Sequence, residues 1–246
     1  MKTVQAGDVQ LSFGERTVLK EIQLTLTTST RAALTGGNGS GKSTLMKILN
    51  GMISPDSGKI TAQKGTRISY LPQSGRLYSG RSLRDEVETA FADLHAIAES
   101  KRDIEHSLGT KTGSSQEVDR LLEEQHSLEE ELLAADYYNR EKEIEQVLTG
   151  LGFSRPDFGK QCEHFSGGWQ MRIALAKVLL EHPDILLLDE PTNYLDIEAR
   201  NWLESFLLEY RGGFLIVSHD RYGPLARGDL TDDEQVHLVV GVVAVV

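Results

Sequence analysis

Gly36-Gly-Asn-Gly-Ser-Gly-Lys42-Ser43-Thr44 is the stretch on which the reading of this chain turns. It follows a short apolar run, RAALTG, and opens into STLMKILNG, a helical segment closed by Gly51. The pattern Gly-x-x-x-x-Gly-Lys-[Ser/Thr] between a strand and a helix is a phosphate cradle. Across Gly36, Gly37, Asn38, Gly39, Ser40 and Gly41 the backbone can turn its N–H groups inward around phosphate oxygens. Lys42 then reaches the outer phosphates, Ser43 offers its hydroxyl to Mg²⁺, and Thr44 closes the set. The expected ligand is ATP or GTP with Mg²⁺.

Working outward, residues 4–28 hold two strand-like runs, VQAGDVQLSF and VLKEIQLTLTT, separated by a turn at Gly14 and Glu15. SPDSG reads as a turn and ISYLPQ as a strand. Farther along come two more apolar strands, DILLLDE and GFLIVSHD, with a helix from about Ile197 to Tyr210 between them. Apolar strands alternating with helices predict a mostly parallel sheet covered on both faces, with ligands gathering at the carboxyl ends of its strands. The C-terminal VHLVVGVVAVV reads as a buried strand, too short to span a bilayer.

From Leu83 to about Leu108 the apolar residues fall at helical spacing; GTKTGSSQ interrupts them, and a second helical run extends from Glu117 through Ile144 and Leu148 to Gly150. Two long amphipathic helices around a Gly/Ser break predict a projecting hairpin, with ordinary packed helices as the alternative. The segment is also acidic. Between Arg81 and Gly150 there are 18 Asp and Glu against 8 Lys and Arg, so −10 of the chain's −11 net charge lies there. Clustered Lys and Arg, which a nucleic-acid surface needs, are scarce. Lys101, Arg102, His106 and Lys111 are the only local basic group near the expected tip.

The 246 residues suffice for one sizeable core or a core with a small insertion. The single cysteine, Cys162, excludes an internal disulfide or cysteine-cluster metal site and fits a reducing cytoplasm. No signal peptide or membrane anchor is apparent at the N-terminus.

Four further stretches bear on the chemistry. Asp189 and Glu190 end an apolar strand, where an acid needs a compensating partner. A Mg²⁺ held by Ser43 would supply one for Asp189, and Glu190 would accept a proton from the attacking water. Because adjacent strand residues face opposite ways, the two carboxylates are expected to take different jobs. His164-Phe-Ser-Gly-Gly-Trp-Gln-Met-Arg172 sets Ser166, Gly167 and Gly168 at a helix start, a second place suited to an anion. His219 in IVSHD and Gln73 in SYLPQ each follow an apolar strand; read alone, each is as ordinary as any surface polar residue.

In order and spacing, GGNGSGKST, the glutamine of YLPQ, FSGGWQMR, ILLLDEPTNYLD and SHD resemble the Walker A, Q-loop, signature, Walker B with D-loop, and H-switch of the ABC ATPases. The resemblance covers about residues 1–222. It implies an α/β P-loop NTPase fold of ABC type: a mostly parallel sheet core, an antiparallel β subdomain and an inserted α-helical hairpin. The domain would span 1–246, with 81–150 as the arm-like insertion. It further implies Lys42, Glu190 and His219 as catalytic residues, and Ser43, Gln73 and Asp189 at the Mg²⁺. Phe13 falls where an adenine-stacking aromatic is often found, although a core phenylalanine reads nearly as well.

In ABC proteins two domains meet head to tail, so a second ABC domain, either another copy or a separate half, is the implied partner. Ser166, Gly167 and Gly168 would then close over that partner's nucleotide. DEPTNYLD, SGGW and the long insertion look most like the ABC-F proteins, soluble duplicated ATPases whose inserted arm engages the ribosome and some of which protect it from antibiotics. The chain departs from them in three ways: Tyr194 replaces the histidine of DEPTNHLD, one ATPase domain is present rather than two joined by a linker, and GPLARGDLTDDEQ beyond SHDRY breaks the pattern. It reads as the first half of a longer or disrupted product. The alternative is the ATP-binding subunit of a membrane transporter; the short insertion and the acidic charge weaken a DNA-repair reading.

Overall fold

The computed structural model describes residues 1–73, 78–110 and 115–217. Lys111, His219 and the strand expected in the C-terminal VHLVVGVVAVV lie outside them.

Two sheets make the frame. Strands β1 (Thr3–Phe13), β2 (Arg16–Thr27) and β4 (Ser57–Ala62) form an antiparallel sheet in the order β2-β1-β4. Strands β3 (Arg31–Leu34), β5 (Ile68–Leu71), β6 (Ile185–Asp189) and β7 (Gly213–Val217) form a parallel sheet in the order β3-β7-β6-β5. Every residue of β6 and β7 is buried, as expected for parallel strands covered on both faces. Leu34 pairs with Val217, Val217 with Asp189, and Leu71 with Leu188. The carboxyl ends of the four strands are therefore level, and the segments that follow them leave from one edge.

The alternation along β6 divides the core in two. Ile185 and Leu187 face α1 (Lys42–Leu49) and the antiparallel sheet, whereas Leu186 and Leu188 join the apolar faces of α6 (Gly167–Leu180) and α7 (Ile197–Glu209). The mean hydropathy of the chain is low, yet both clusters are continuous.

β4 begins inside the segment read as a turn. Its side chains are mostly exposed, so it lacks the apolar alternation that betrays a strand. Backbone proximity gives it away instead. Gly58 is left-handed (φ 82°), and a Cβ there would stand 2.4 Å from the Asp8 carbonyl oxygen.

The acidic segment differs from two uninterrupted helices. It contains α2 (Leu83–Glu88), a 3-10 turn over Thr89–Phe91, α3 (Ala92–Thr110), α4 (Ser115–Ala134), a second 3-10 turn over Tyr137–Asn139, and α5 (Arg140–Gly150). α2 and α5 pack on the core through Leu83, Val87, Ile144, Val147 and Leu148. α3 and α4 form the hairpin, paired antiparallel by Lys101 to Glu129 at 2.7 Å and Gln125 to Glu105 at 3.0 Å. At 1.5 Å per residue α3 is about 28 Å long.

The second helical run breaks because Asp136 adopts a left-handed φ of 52° and turns Tyr137 inward, where it is only 3% exposed. The Tyr137 hydroxyl meets His95 Nδ1 at 2.8 Å, and Glu88 accepts from Arg140 Nε at 2.9 Å. The base of the hairpin is thus tied on both sides. Lys101 is also committed internally: the hydrogen bond with Glu129 holds its ammonium above the usual lysine range, and Glu105 lies 3.4 Å away. Arg102 and His106 are exposed.

The close approach of β1 to Gly58 gives a direct stability test. Gly58→Ala should lower unfolding stability by about 1–3 kcal/mol or more in urea denaturation, whereas Gly7→Ala, which would meet nothing within 4 Å, should have a much smaller effect.

Candidate nucleotide site

The loop between β3 and α1 is pressed against β2. Gly41 is left-handed (φ 90°), and a Cβ there would stand 2.9 Å from Leu19 Cδ2 and 3.0 Å from the Val18 carbonyl oxygen. That contact leaves glycine as the residue that fits and sets where the helix starts. Lys42, at the first position of α1, is 6% exposed; its Nζ donates to the carbonyls of Gly36 at 2.8 Å and Gly37 at 2.9 Å. Among the described residues no carboxylate pairs with it. A buried cation satisfied by two neutral oxygens is suited to receive an anion. Ser40 Oγ, beside it in the loop, is buried without a hydrogen-bond partner.

Asp189, at the end of β6, is 1% exposed. Its Oδ2 accepts from the Tyr70 hydroxyl at 3.2 Å, while Oδ1 is buried without a partner. Burial, reinforced by the Asp189 carboxylate, pushes the Tyr70 hydroxyl well above the usual tyrosine range. The orphaned oxygens of Ser40 and Asp189 and the uncompensated ammonium of Lys42 fit a polyphosphate with a divalent cation, because each lacks a partner which that pair would supply.

Glu190 does not project by strand alternation from Asp189. It leaves β6 with a left-handed φ of 53° and opens the 3-10 turn Pro191–Tyr194, so the turn rather than the strand aims its side chain. Its carboxylate accepts from Gln73 Nε2 at 3.3 Å and from Asn193 Nδ2 at 2.5 Å.

An open cleft of ≈ 620 Å³ joins residues 38–44 to Phe13, Arg16, Val18, Gln73 and Glu190. Phe13 is 57% exposed, so it is not a core residue. Gly36 and Gly37 contribute carbonyls to Lys42 but do not line the cleft, and neither does Asp189. Arg16 was not signalled by any motif: it is brought in by the turn after Phe13, with Nη2 3.4 Å from the Gly39 carbonyl. Tyr70, likewise, looks in the sequence like one more residue of an apolar strand.

Ser166, Gly167 and Gly168 lie elsewhere. Ser166 is the N-cap of the 14-residue helix α6, and Ser166 and Gly167 are exposed, outside the cleft that holds Lys42. The N–H groups of the first helical turn have no carbonyl partner within the helix, so this end carries partial positive charge into solvent. Arg172, one helical turn in, fixes it. Its guanidinium donates to the carbonyls of Tyr194 at 2.9 Å and Leu151 at 2.8 Å and to Asp196 Oδ2 at 2.9 Å, and stands 4.4 Å from the centre of the Trp169 ring. With the Ala199 N–H, the Arg172 bond holds the Asp196 carboxyl below the usual range. Gln170 ties the same helix to Tyr78, accepting from its N–H at 2.9 Å and donating to its carbonyl at 3.3 Å. The segments after β5 and β6 are therefore bonded directly to the signature helix.

A family model described as "ABC transporter" matches residues 19–193, most of the chain. The uncharacterized ABC transporter ATP-binding protein YfmM of Bacillus subtilis is 37% identical over 220 residues, covering 89% of this chain and 42% of that protein. The energy-dependent translational throttle protein EttA of Haemophilus influenzae is 38% identical over 208 residues, covering 85% of this chain and 36% of its own. ABC transporter F family member 5 of Arabidopsis thaliana is 34% identical over 219 residues, covering 89% and 32%. This chain thus spans less than half the length of each.

Among solved structures, an ATP binding subunit of an ABC transporter superposes with a TM-score of 0.63 at 19% identity, covering 88% of this chain and 79% of that one, which speaks for the fold. No helix among the described residues is long and apolar enough to cross a membrane. Fold, motif order and sequence likeness agree: the chain belongs to the ABC family of ATP-binding domains, and ABC-F proteins are among the relatives it resembles.

Proposed function

We propose that this chain, residues 1–246 with 81–150 as an inserted arm, is one ABC domain that binds and hydrolyses ATP with Mg²⁺ in the service of translation. The observation that carries the first part is Lys42, a buried ammonium whose partners are two carbonyls, facing a cleft walled by a glycine loop. Residues 36–44 hold the phosphates, with Lys42 on the outer ones and Phe13 against the base. Ser43, Asp189 and Gln73 would hold the metal, which would supply positive charge to offset that of the phosphates. Glu190, steadied by Gln73 and Asn193, takes the proton of the attacking water. His219 is assigned to the γ-phosphate from its place after β7 in the sequence motif.

Ser166, Gly167 and Gly168 serve another domain's nucleotide. Their helix start is exposed and outside this chain's own cleft, which supports a composite site between two ABC domains. The second domain is another copy or a separate half.

The translational role rests on the likeness to EttA and on the hairpin at α3–α4. The acidic arm and the internal commitment of Lys101 favour contact through a protein surface or through Arg102 and His106. A cytoplasmic location follows from this reading, without membrane insertion or DNA binding.

Glu190→Gln should lower ATP turnover by about 10²–10⁴-fold, read as phosphate release, while ATP binding persists and the ATP complex elutes as a dimer or with its second half. Elution only as a monomer with ATP and Mg²⁺, alone and with candidate partners, would count against the composite site. ATP turnover should rise on addition of ribosomes. Unchanged turnover together with co-purification of a membrane protein would transfer the domain to the transporter class.

A further inference from the structure

Asp189 is the most completely buried acid of the described residues, and among them no cation pairs with it. Among the described residues its one side-chain partner is Tyr70, whose hydroxyl donates to Oδ2 at 3.2 Å, while Oδ1 is left with none. The two residues lie on neighbouring parallel strands. Tyr70 pairs with Leu187, two residues before Asp189 on the same face of β6, so the phenol reaches diagonally across the sheet to the carboxylate.

The surroundings do not ask for a hydroxyl. Tyr70 packs against the cluster of Leu45, Leu187 and Val217, where a phenylalanine would serve equally well. A half-buried hydroxyl is unfavourable without a bond, and the bond it makes is to the one carboxylate at the strand end. A carboxylate with one oxygen fastened and the other without a partner has a single orientation to offer a cation.

We propose that Tyr70 is a positioning residue for the metal: its hydroxyl fastens Oδ2 of Asp189 and so presents Oδ1 to the divalent cation that accompanies ATP. Tyr70 itself touches neither metal nor nucleotide. The inference rests on the nucleotide-and-metal reading of the site given above.

The test uses Mn²⁺ as the metal and the slowly hydrolysed analogue ATPγS. Protein-bound Mn²⁺ is read by electron paramagnetic resonance at saturating ATPγS, and ATPγS affinity is read separately in EDTA. Tyr70→Phe keeps the ring but takes the last partner from a buried carboxylate, so the ligand-free melting temperature should fall by a few degrees while the fold is retained. It should need about 10-fold more Mn²⁺ for half-saturation and show unchanged affinity for ATPγS in EDTA. Asp189→Asn, which removes the charge, should lose the metal altogether. If Tyr70→Phe and the native protein give the same Mn²⁺ curve while Asp189→Asn does not, the positioning role is overturned and the site reading stands. If the native protein holds no Mn²⁺ with ATPγS, both fall together.

Discussion

An ammonium buried at the edge of a parallel sheet, with two carbonyls for company, is the constraint around which this domain is arranged. Lys42 is held there because α1 starts at a glycine pressed onto β2 and because Gly36 and Gly37 turn their carbonyls toward it. A charge in that position is unfavourable until an anion arrives. The level ends of β3, β5, β6 and β7 bring the other acids and amides to the same edge. Chain segments far apart in sequence thereby meet at one edge of the sheet.

The second half of the structure's logic lies on the opposite face of the sheet. Arg172 bonds the residues after α5, the turn after β6 and the first turn of α6 into one unit, and Gln170 adds the chain that follows β5. Tyr78 and Tyr194 are thus each one hydrogen bond from the helix that starts, exposed, at Ser166. The same unit meets the acidic segment, because Leu151 directly follows α5 and Glu86 of α2 is paired with Lys177 of α6. The hairpin is therefore not appended to a loop. Its two roots are built into the apolar core.

Much of this was legible as text. The phosphate loop, the signature stretch and the acidic strand end each depend on backbone geometry over a few residues, so local sequence carries them. The alternation of apolar strands and helices gave the parallel sheet for the same reason. Where reading failed, the cause lay in long-range packing. The exposed edge strand β4 lacks periodicity and exists because β1 lies against Gly58. The second long helix breaks because Tyr137 finds His95, 42 residues away, and Asp136 accepts a left-handed backbone to allow it.

By itself, then, the sequence determined the family, the nucleotide chemistry expected at residues 36–44 and the presence of a helical insertion, since these follow from motifs and periods read within short windows. Only the tertiary structure decided the direction of Glu190, the pairing of Tyr70 with Asp189, the arrival of Arg16 in the cleft and the internal use of Lys101. In each case the deciding contact joins residues from different elements. The energy of such a contact depends on distance and burial, quantities that exist only once the chain has folded.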